Sequence, residues 1–373
     1  MKTAIVILNW NTEPYLRSLL PLCEQEQKKA GCGIWVVDNG STDSSLDTLR
    51  RDFPWVRLLS FSENLGFTGG YNKALDLILS SGDAPEYVVL LNTDVEFEPG
   101  WSLLLEEWMD AHPDCAVCGP VLRALERRGD GTFSRSASFE YAGAAGGFLD
   151  RFGFPFCRGR VMSLTCEDKG QYLDSDNEVT WISGACMMVR SSVWRSLGGL
   201  DTRFFAHMEE IDFCWRAGLE GWKVCCVPRS IIYHIGGGSL KQDSPFKLML
   251  NFRNSLLMLR KNLPRCCSPL RYNLIFAFRY MLDWAAALVY LLSGKKEYCK
   301  AVLSAHRQYR SLKCAEPKTS AKPCEGPTGR NGAKERSECA ARRAGLSPVC
   351  IVLQRVLRGK KVFGYLDALM EKW

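Results

Sequence analysis

GIWVVDNGSTD, residues 33–43, decides how this chain folds. Residues 34–37 are apolar without alternation, as expected of a strand buried on both faces. Asn39-Gly40 stops the strand. Ser41 and Asp43 then supply caps for a helix over roughly 43–51. The same unit recurs on either side. TAIVILN (3–9), VRLLSF (56–61) and YVVLLN (87–92) are three more such strands. Pro14 opens a helix after the first strand, its fixed φ suiting a first turn. A third helix runs from about Gly69 to Ser80, Pro99 starts a fourth, and CAVCGPVL (115–122) reads as another strand or bend. Strands alternating with helices predict an α/β fold, a mostly parallel twisted sheet with helices on both faces. Ligands of such sheets sit at the carboxyl ends of the strands. Asp38 lies at one such end and Asn92 to Asp94 at another, so two polar clusters converge on one crevice.

The alternation stops at residues 123–178, a Gly-rich stretch with little periodicity. An irregular insertion this long reads as a functional loop region. A strand returns at 179–190. A helix over 209–219 places Ile211, Cys214, Trp215 and Leu219 on one face. Two short strands, 224–227 and 230–235, carry the chain past His234.

Charge divides the chain in two. Residues 251–373 hold 24 Lys+Arg against 8 Asp+Glu, a balance of +16, whereas residues 1–250 hold 24 against 33, a balance of −9. The two parts face different partners. The most apolar window, 274–293, is interrupted by Arg279 and Asp283, which are four apart and so able to pair on one face. That interruption favours a helix lying in a membrane interface over one that spans it. Residues 314–347 are Pro-, Gly- and Lys-rich and are expected to be disordered. The expected units are therefore a globular part (1–250), a helical membrane-associating segment (251–313), that linker, and a short amphipathic piece (348–373).

The chain has 17 cysteines and enters its first strand with no secretory signal, which predicts a cytosolic protein with reduced thiols. Cys115 and Cys118 have no second pair or nearby His to complete a zinc site. The cysteines read as small buried hydrophobes.

Chemistry is read first from what is missing. No GxGxxG follows the first strand and no P-loop occurs, which argues against hydride transfer and ATP hydrolysis. Asp94, fixed at a strand tip, can hold Mg²⁺ or Mn²⁺, which bind through one or two carboxylates plus substrate phosphates. Glu209, Glu210 and Asp212 open a helix, where carboxylates are favoured in any case. Side by side, however, Glu209 and Glu210 cost repulsion, and a general base must be a carboxylate close to the attacking hydroxyl. His234, before the Gly-rich turn IGGGS, can ligate a metal.

Taken in order, IVILNWN, VVDNGSTD, ENLGFTGGYNKAL, LLNTDVEFEPGW, ISGACMMVRSSVWRSLGGLDTRFF, EEIDFCWRAGLEGW and YHIGGGS resemble the family 2 glycosyltransferases, in particular the bacterial rhamnosyltransferase-like branch that builds surface polysaccharides. The resemblance covers residues 3–240. It implies a GT-A fold and an inverting enzyme that uses a dTDP- or UDP-sugar and a glycan or lipid-linked acceptor. Asp38 would meet the nucleotide base, with Asn9 and Asn11 in the same pocket. Asn64, Gly66 and Asn72 fall in the segment over the ribose and phosphates. Asn92 and Asp94 match the DxD motif, with Asn92 replacing its first Asp. Asp94 would ligate the divalent metal, with His234 as a further ligand and Glu96 compensating for the lost charge. Glu210 matches the position of the catalytic Asp, and the base stays open among Glu209, Glu210 and Asp212. Gly184, Ala185 and Cys186 match the floor of the donor sugar. Arg158, Arg160 and Gln171, in the insertion, are acceptor-side candidates.

Such a branch places the enzyme at the inner face of the cell membrane, with the basic, apolar C-terminus on anionic lipid. Two other readings compete. A nucleotidyltransferase would carry a Gly-rich basic signature after the first strand, which is missing here. An inactive scaffold binding nucleic acid through its tail would want aromatics among the Lys and Arg of 314–347, and there are none.

Overall fold

In the computed structural model, residues 1–129, 132–174, 177–236, 244–313 and 346–370 are described. The expected strand at 33–38 is β2 (Gly33–Asn39). Beside it lie β1 (Thr3–Asn9) and β3 (Arg57–Phe61), and β4 (Tyr87–Leu91) lies on the far side of β1. All three pairings among these strands are parallel.

The apolar runs of β1, β2 and β4 are continuous because both faces are covered, whereas β3, at the edge of the sheet, is only partly buried. Ile5, Ile7, Ile34 and Val36 pack with Leu16, Leu19 and Leu20 of α1 (Glu13–Ala30) and with Leu105 and Met109 of α4 (Trp101–Ala111). The alternate residues Val6, Val37, Val88 and Leu90 pack with Tyr71, Ala74, Leu75 and Ile78 of α3 (Gly66–Leu79). The short α2 (Ser45–Asp52) follows β2, close to its expected place.

Beyond β4 the sheet becomes mixed. β12 (Cys186–Arg190) runs antiparallel to both β4 and β6 (Cys115–Arg127). β13 (Lys223–His234) pairs parallel with β6, and β5 (Val95–Phe97) pairs antiparallel with β13 at the edge. The two short strands expected at 224–227 and 230–235 are thus one strand, interrupted by a register shift between Val227 and Ile231 where Pro228 falls.

The insertion is not irregular throughout. β7 (Phe133–Phe139) pairs with β6. The strands β8 (Gly147–Leu149), β9 (Pro155–Cys157), β10 (Arg160–Val161) and β11 (Leu164–Thr165) form a small separate sheet.

The main sheet is followed by α5 (Ser191–Leu197) and α6 (Glu209–Leu219), the latter at the residues the sequence predicts. Then come α7 (Pro245–Asn262), α8 (Pro269–Leu292) and α9 (Lys296–Leu312). Ser244 and Ser268 cap α7 and α8, each followed by proline at the first turn. α7 crosses the boundary expected at residue 250 and packs against both α6 and α9.

Of the expected linker 314–347, only Leu346 and Ser347 belong to the described residues. Ser347 donates its N–H to the Leu149 carbonyl (2.8 Å), and Asp150 accepts from the Ile351 N–H (3.0 Å). These contacts seat α10 (Ile351–Arg358) and α11 (Val362–Met370) beside the insertion. Tyr172 donates to Asp367 from the same side (3.0 Å).

α8 is the one helix among the described residues long and apolar enough to cross a membrane, with mean hydropathy 1.5 over its most apolar window, of which 28% is buried. Arg279 and Asp283 share its buried face but take separate partners. Arg279 donates to Ser255 Oγ (2.6 Å) and lies 3.7 Å from the centre of the Phe154 ring. Asp283 Oδ2 sits 3.1 Å from His306 Nε2.

Candidate active site

A cavity of about 720 Å³ opens at the carboxyl ends of β1, β2 and β4 and is walled on its other side by the insertion and the start of α6. β4 ends at Leu91, and the Asn92 N–H donates to the Ala185 carbonyl (3.0 Å). This bond turns Asn92, Thr93 and Asp94 along the cavity wall, next to Ser183, Gly184 and Ala185. His234, the last residue of β13, registers against Val95 of β5, which places its ring beside Asp94. His234 Nε2 is 3.2 Å from Asp94 Oδ1 and 3.4 Å from Asn92 Nδ2. Its other ring nitrogen is 3.5 Å from Glu140 Oε1. Burial disfavours the imidazolium, but the Asp94 and Glu140 carboxylates outweigh it and push the His234 pKa up to about 10.

One carboxylate and one imidazole on a cavity wall fit a divalent cation whose remaining positions are filled by substrate oxygens. No three His, Cys, Asp or Glu side chains among the described residues already form a cage, so Asp94 and His234 could hold such an ion only together with its substrate. Glu96 faces elsewhere. Its carboxylate accepts from Arg135 Nε (2.7 Å) and it does not line the cavity. Of the turn after His234, Gly237 to Ser239 lie outside the described residues.

The three carboxylates expected to supply the base separate into two environments. Asp212 is fully buried and away from the cavity. It accepts from Arg216 (2.8 Å), Lys261 (3.0 Å) and Asn262 (2.8 Å). Burial alone would raise its pKa, yet Lys261 and Arg216 hold it below the usual carboxylate range. It is a clasp between α6 and α7, and as a candidate base it is corrected. Glu209 and Glu210 line the cavity, and each has one buried carboxylate oxygen without a hydrogen-bond partner. Burial pushes Glu210 up to about 7. Burial first, and the Glu210 charge next, push Glu209 well above the ordinary range. Gly184 lies against Glu210, since a β-carbon there would stand 3.6 Å from Glu210 Cβ and 3.3 Å from the Phe67 ring.

The segment ahead of α6 is strained. Phe205, His207 and Met208 all have positive φ, at 64°, 69° and 71°. Such backbone costs energy in non-glycine residues and persists only where the surroundings impose it. Asn254 of α7 imposes it here, donating to the carbonyls of Phe204 (3.0 Å), Ala206 (2.8 Å) and His207 (2.7 Å). Arg253 donates to the carbonyl of Phe204 as well (2.8 Å). The Phe205 carbonyl in turn accepts from the N–H groups of Phe67 and Thr68 and so caps α3.

Most of the nucleotide-side residues bond within the protein and away from the cavity, Asn9 and Asp38 buried, Asn72 half-buried and Asn11 exposed. Asp38 is fully buried and outside the cavity lining. It accepts from Asn9 Nδ2 (2.9 Å) and from the Ser41 N–H (3.1 Å). Asn11 Oδ1 accepts from the N–H groups of Thr42 (2.7 Å) and Asp43 (3.2 Å). Asn72 exchanges two hydrogen bonds with the Leu200 backbone. All four hold loops together and do not reach the cavity. Asn64 and Gly66 do line it, linked to Asn39, which the sequence did not single out.

Of the acceptor-side candidates, Arg160 lines the cavity, buried over the Tyr141 ring. Arg158 packs on Phe148, and Gln171 is at the surface. Trp10, Glu140, Tyr141, Trp181, Phe205 and Phe246 also line the cavity without any sequence signal. The cysteines behave as expected. Those described are all free, and nine of them, among them Cys115 and Cys118, are buried.

A parallel half-sheet that turns mixed beyond β4, with a cavity at its carboxyl ends lined by Asp94, His234, Glu209 and Glu210, has the architecture of the GT-A fold. The chain belongs to glycosyl transferase family 2, whose profile matches residues 4–194. It is 28% identical over 261 residues to the N-acetylglucosaminyl-diphospho-decaprenol L-rhamnosyltransferase of Mycobacterium tuberculosis, an alignment covering 68% of this chain and 83% of that protein. It is 24% identical over 265 residues to a low-salt glycan biosynthesis hexosyltransferase of Haloferax volcanii, covering 68% and 74%.

Among solved structures, GalNAc-T7 with UDP, GalNAc and Mn2+ superposes with a TM-score of 0.52 at 14% identity. It covers 70% of this chain, which itself spans about half (48%) of that one. Residues 1-349 of S. aureus TarS superpose with a TM-score of 0.51 at 14% identity, covering 83% and 80%. At that identity the likeness shows the fold alone.

Proposed function

We propose that this glycosyltransferase moves a hexosyl unit, rhamnosyl in the leading case, from a dTDP- or UDP-sugar to a glycan or lipid-linked glycan, with inversion. Glu210 carries the reading. It is half-buried, with its pKa pushed up to about 7 by desolvation and one buried oxygen unpartnered among the described residues, in the same cavity as Asp94 and His234. A general base works best when its pKa lies near the working pH.

Glu210 takes the proton of the acceptor hydroxyl as that oxygen attacks the anomeric carbon. Glu209, held protonated by burial and by its neighbour, keeps the pair from carrying two charges. A single displacement at the anomeric carbon, in which the acceptor oxygen bonds as the diphosphate leaves from the opposite face, inverts that centre. Gly184 and Ala185 floor the sugar, and Asn64 and Gly66 border the ribose and phosphates. Asp94 and His234, the latter giving up its proton, would hold a divalent cation, Mg²⁺ or Mn²⁺, which would supply positive charge against the departing diphosphate. Arg160, Tyr141 and Trp181 line the acceptor side, where an aromatic wall suits a sugar ring.

The acceptor arrives at the inner face of the cell membrane, where the basic C-terminal region meets anionic lipid. A thermal-shift panel of UDP-, dTDP- and GDP-sugars with and without Mn²⁺ tests the reading. A cation-dependent rise with one nucleotide class names the donor. No rise with any of them, in folded protein, overturns it.

A further inference from the structure

α8 is turned inside out for a soluble helix. Its two charged side chains in mid-helix, Arg279 and Asp283, are buried, at 3% and 2% exposure. The face away from the protein carries Leu270, Leu274, Met281, Trp284, Leu288 and Leu291, each about half exposed or more. With the exposed Ala277 they follow one another at intervals of four and three residues, a straight apolar stripe along the helix. An apolar patch of this length on a protein surface marks a contact site.

What covers the stripe is argued from its flanks. The exposed charged residues of α8, α9 and the turn between them are Arg271, Lys295, Lys296, Lys300, Arg307 and Arg310, against the single acid Glu297. A second copy packed stripe to stripe would bring like charges together, where paired helices use opposite ones. An anionic surface complements them.

Beside the stripe, α8 and α9 enclose a cavity of about 350 Å³ lined by Trp284, Leu303, His306, Arg307, Arg310 and Ser311. His306 is 3% exposed. Its Nε2 is committed to Asp283, and its Nδ1 has no hydrogen-bond partner. Two guanidinium groups, a hydroxyl and a buried imidazole border this open space, which is roomy enough for a phosphate diester, and the guanidinium forks match phosphate oxygens.

We propose that the α8–α9 hairpin is a bilayer-docking surface. The stripe lies in the boundary between headgroups and acyl chains, and the Arg307, Arg310 and His306 cavity receives the phosphate of an anionic phospholipid. Arg279 and Asp283 stay bound inside the protein, so the helix lies on the bilayer and does not cross it. The inference deepens the membrane-facing part of the proposed function and rests on it, but it needs no knowledge of the donor.

The test is flotation of the full chain with phosphatidylcholine vesicles and with vesicles that also contain phosphatidylglycerol. Three proteins are compared: the unaltered chain, Arg307→Ala with Arg310→Ala, and Leu274→Gln with Leu288→Gln. The unaltered chain is expected to float with the anionic vesicles. The double arginine variant should lose affinity for them on the order of tenfold, and the double leucine variant should lose it for both kinds. Nucleotide-induced thermal shifts, read on all three, should be alike, which keeps a failed donor assignment separate from a failed docking surface. Equal flotation of the arginine variant and the unaltered chain would overturn the phosphate cavity. A concentration-dependent dimer in light scattering, abolished by the leucine changes in protein that does not float, would give the stripe to a second copy instead.

Discussion

The two sides of the cavity are built on opposite terms. On the side of β1 and β2 the polar side chains at the strand tips are bonded to one another inside the protein. Asn9, Asp38, Ser41 and Thr12 close a network in which both Asp38 oxygens accept hydrogen bonds. On the side of α6, Glu209 and Glu210 each keep an unpartnered oxygen, and three residues before them stand in positive-φ backbone. Buried polar groups are ordinarily satisfied, and the exceptions gather where chemistry is done. One side is a finished frame, and the other is held in readiness by a neighbouring helix. The lesson is that nearness to a strand end does not by itself put a side chain on the cavity wall.

That contrast can be broken by substitution. Glu210→Gln has the largest expected effect, a fall in kcat of about 10² to 10⁴, the range for losing a general base, with the donor-induced thermal shift kept. In the unaltered enzyme kcat should rise with pH through about 7 as Glu210 loses its proton, and the variant should lack that inflection. Stability moves the other way. The folded pKa lies above the unfolded value of 4.5, so the folded state holds the proton more tightly. Glu210 therefore favours folding least once pH has risen past about 7, and the melting temperature should decline across that window less in Glu210→Gln than in the unaltered chain.

Asn254→Ala comes next. It strips the donor from three carbonyls and should cost about 1–3 kcal/mol of stability. Its sharper signature is a kcat lowered on the order of tenfold with donor KM unchanged. A rise in donor KM with kcat held would move Asn254 to the donor side. Asp38→Asn should have the smallest effect on turnover. An amide there confronts the donors of Asn9 and Ser41, so donor KM should rise while kcat at saturation stays. A collapse of kcat in Asp38→Asn would erase the distinction between the two sides.

Much of the frame was legible because its periodicity is simple. The four parallel strands show as unbroken apolar runs, and α6 starts where its carboxylates do. Which face those residues turn was not legible. Asn9, Asp38 and Asn72 sit at strand ends or helix faces that suit a ligand, yet their partners are loops 25 to 130 residues or so away, which no local pattern reveals. Asp212 was lost to Lys261 and Asn262 on a helix that the sequence divides at residue 250. Glu140 lies in a Gly-rich stretch without periodicity, so nothing in its neighbours marked it for His234. Arg279 and Asp283 were read as four apart on one face, correctly, but the spacing is silent on whether that face looks in or out.

Asn254 also sets the order in which the molecule matures as it is made. The carbonyls it holds belong to residues about 50 positions earlier in the chain. Domains form from the N-terminus as synthesis proceeds. The bend ahead of Glu209 and Glu210 has no amide to hold it until α7 has left the ribosome. Catalytic competence therefore arrives late, just ahead of the helix whose leucines face outward, so the finished active site and its surface for the bilayer emerge almost together.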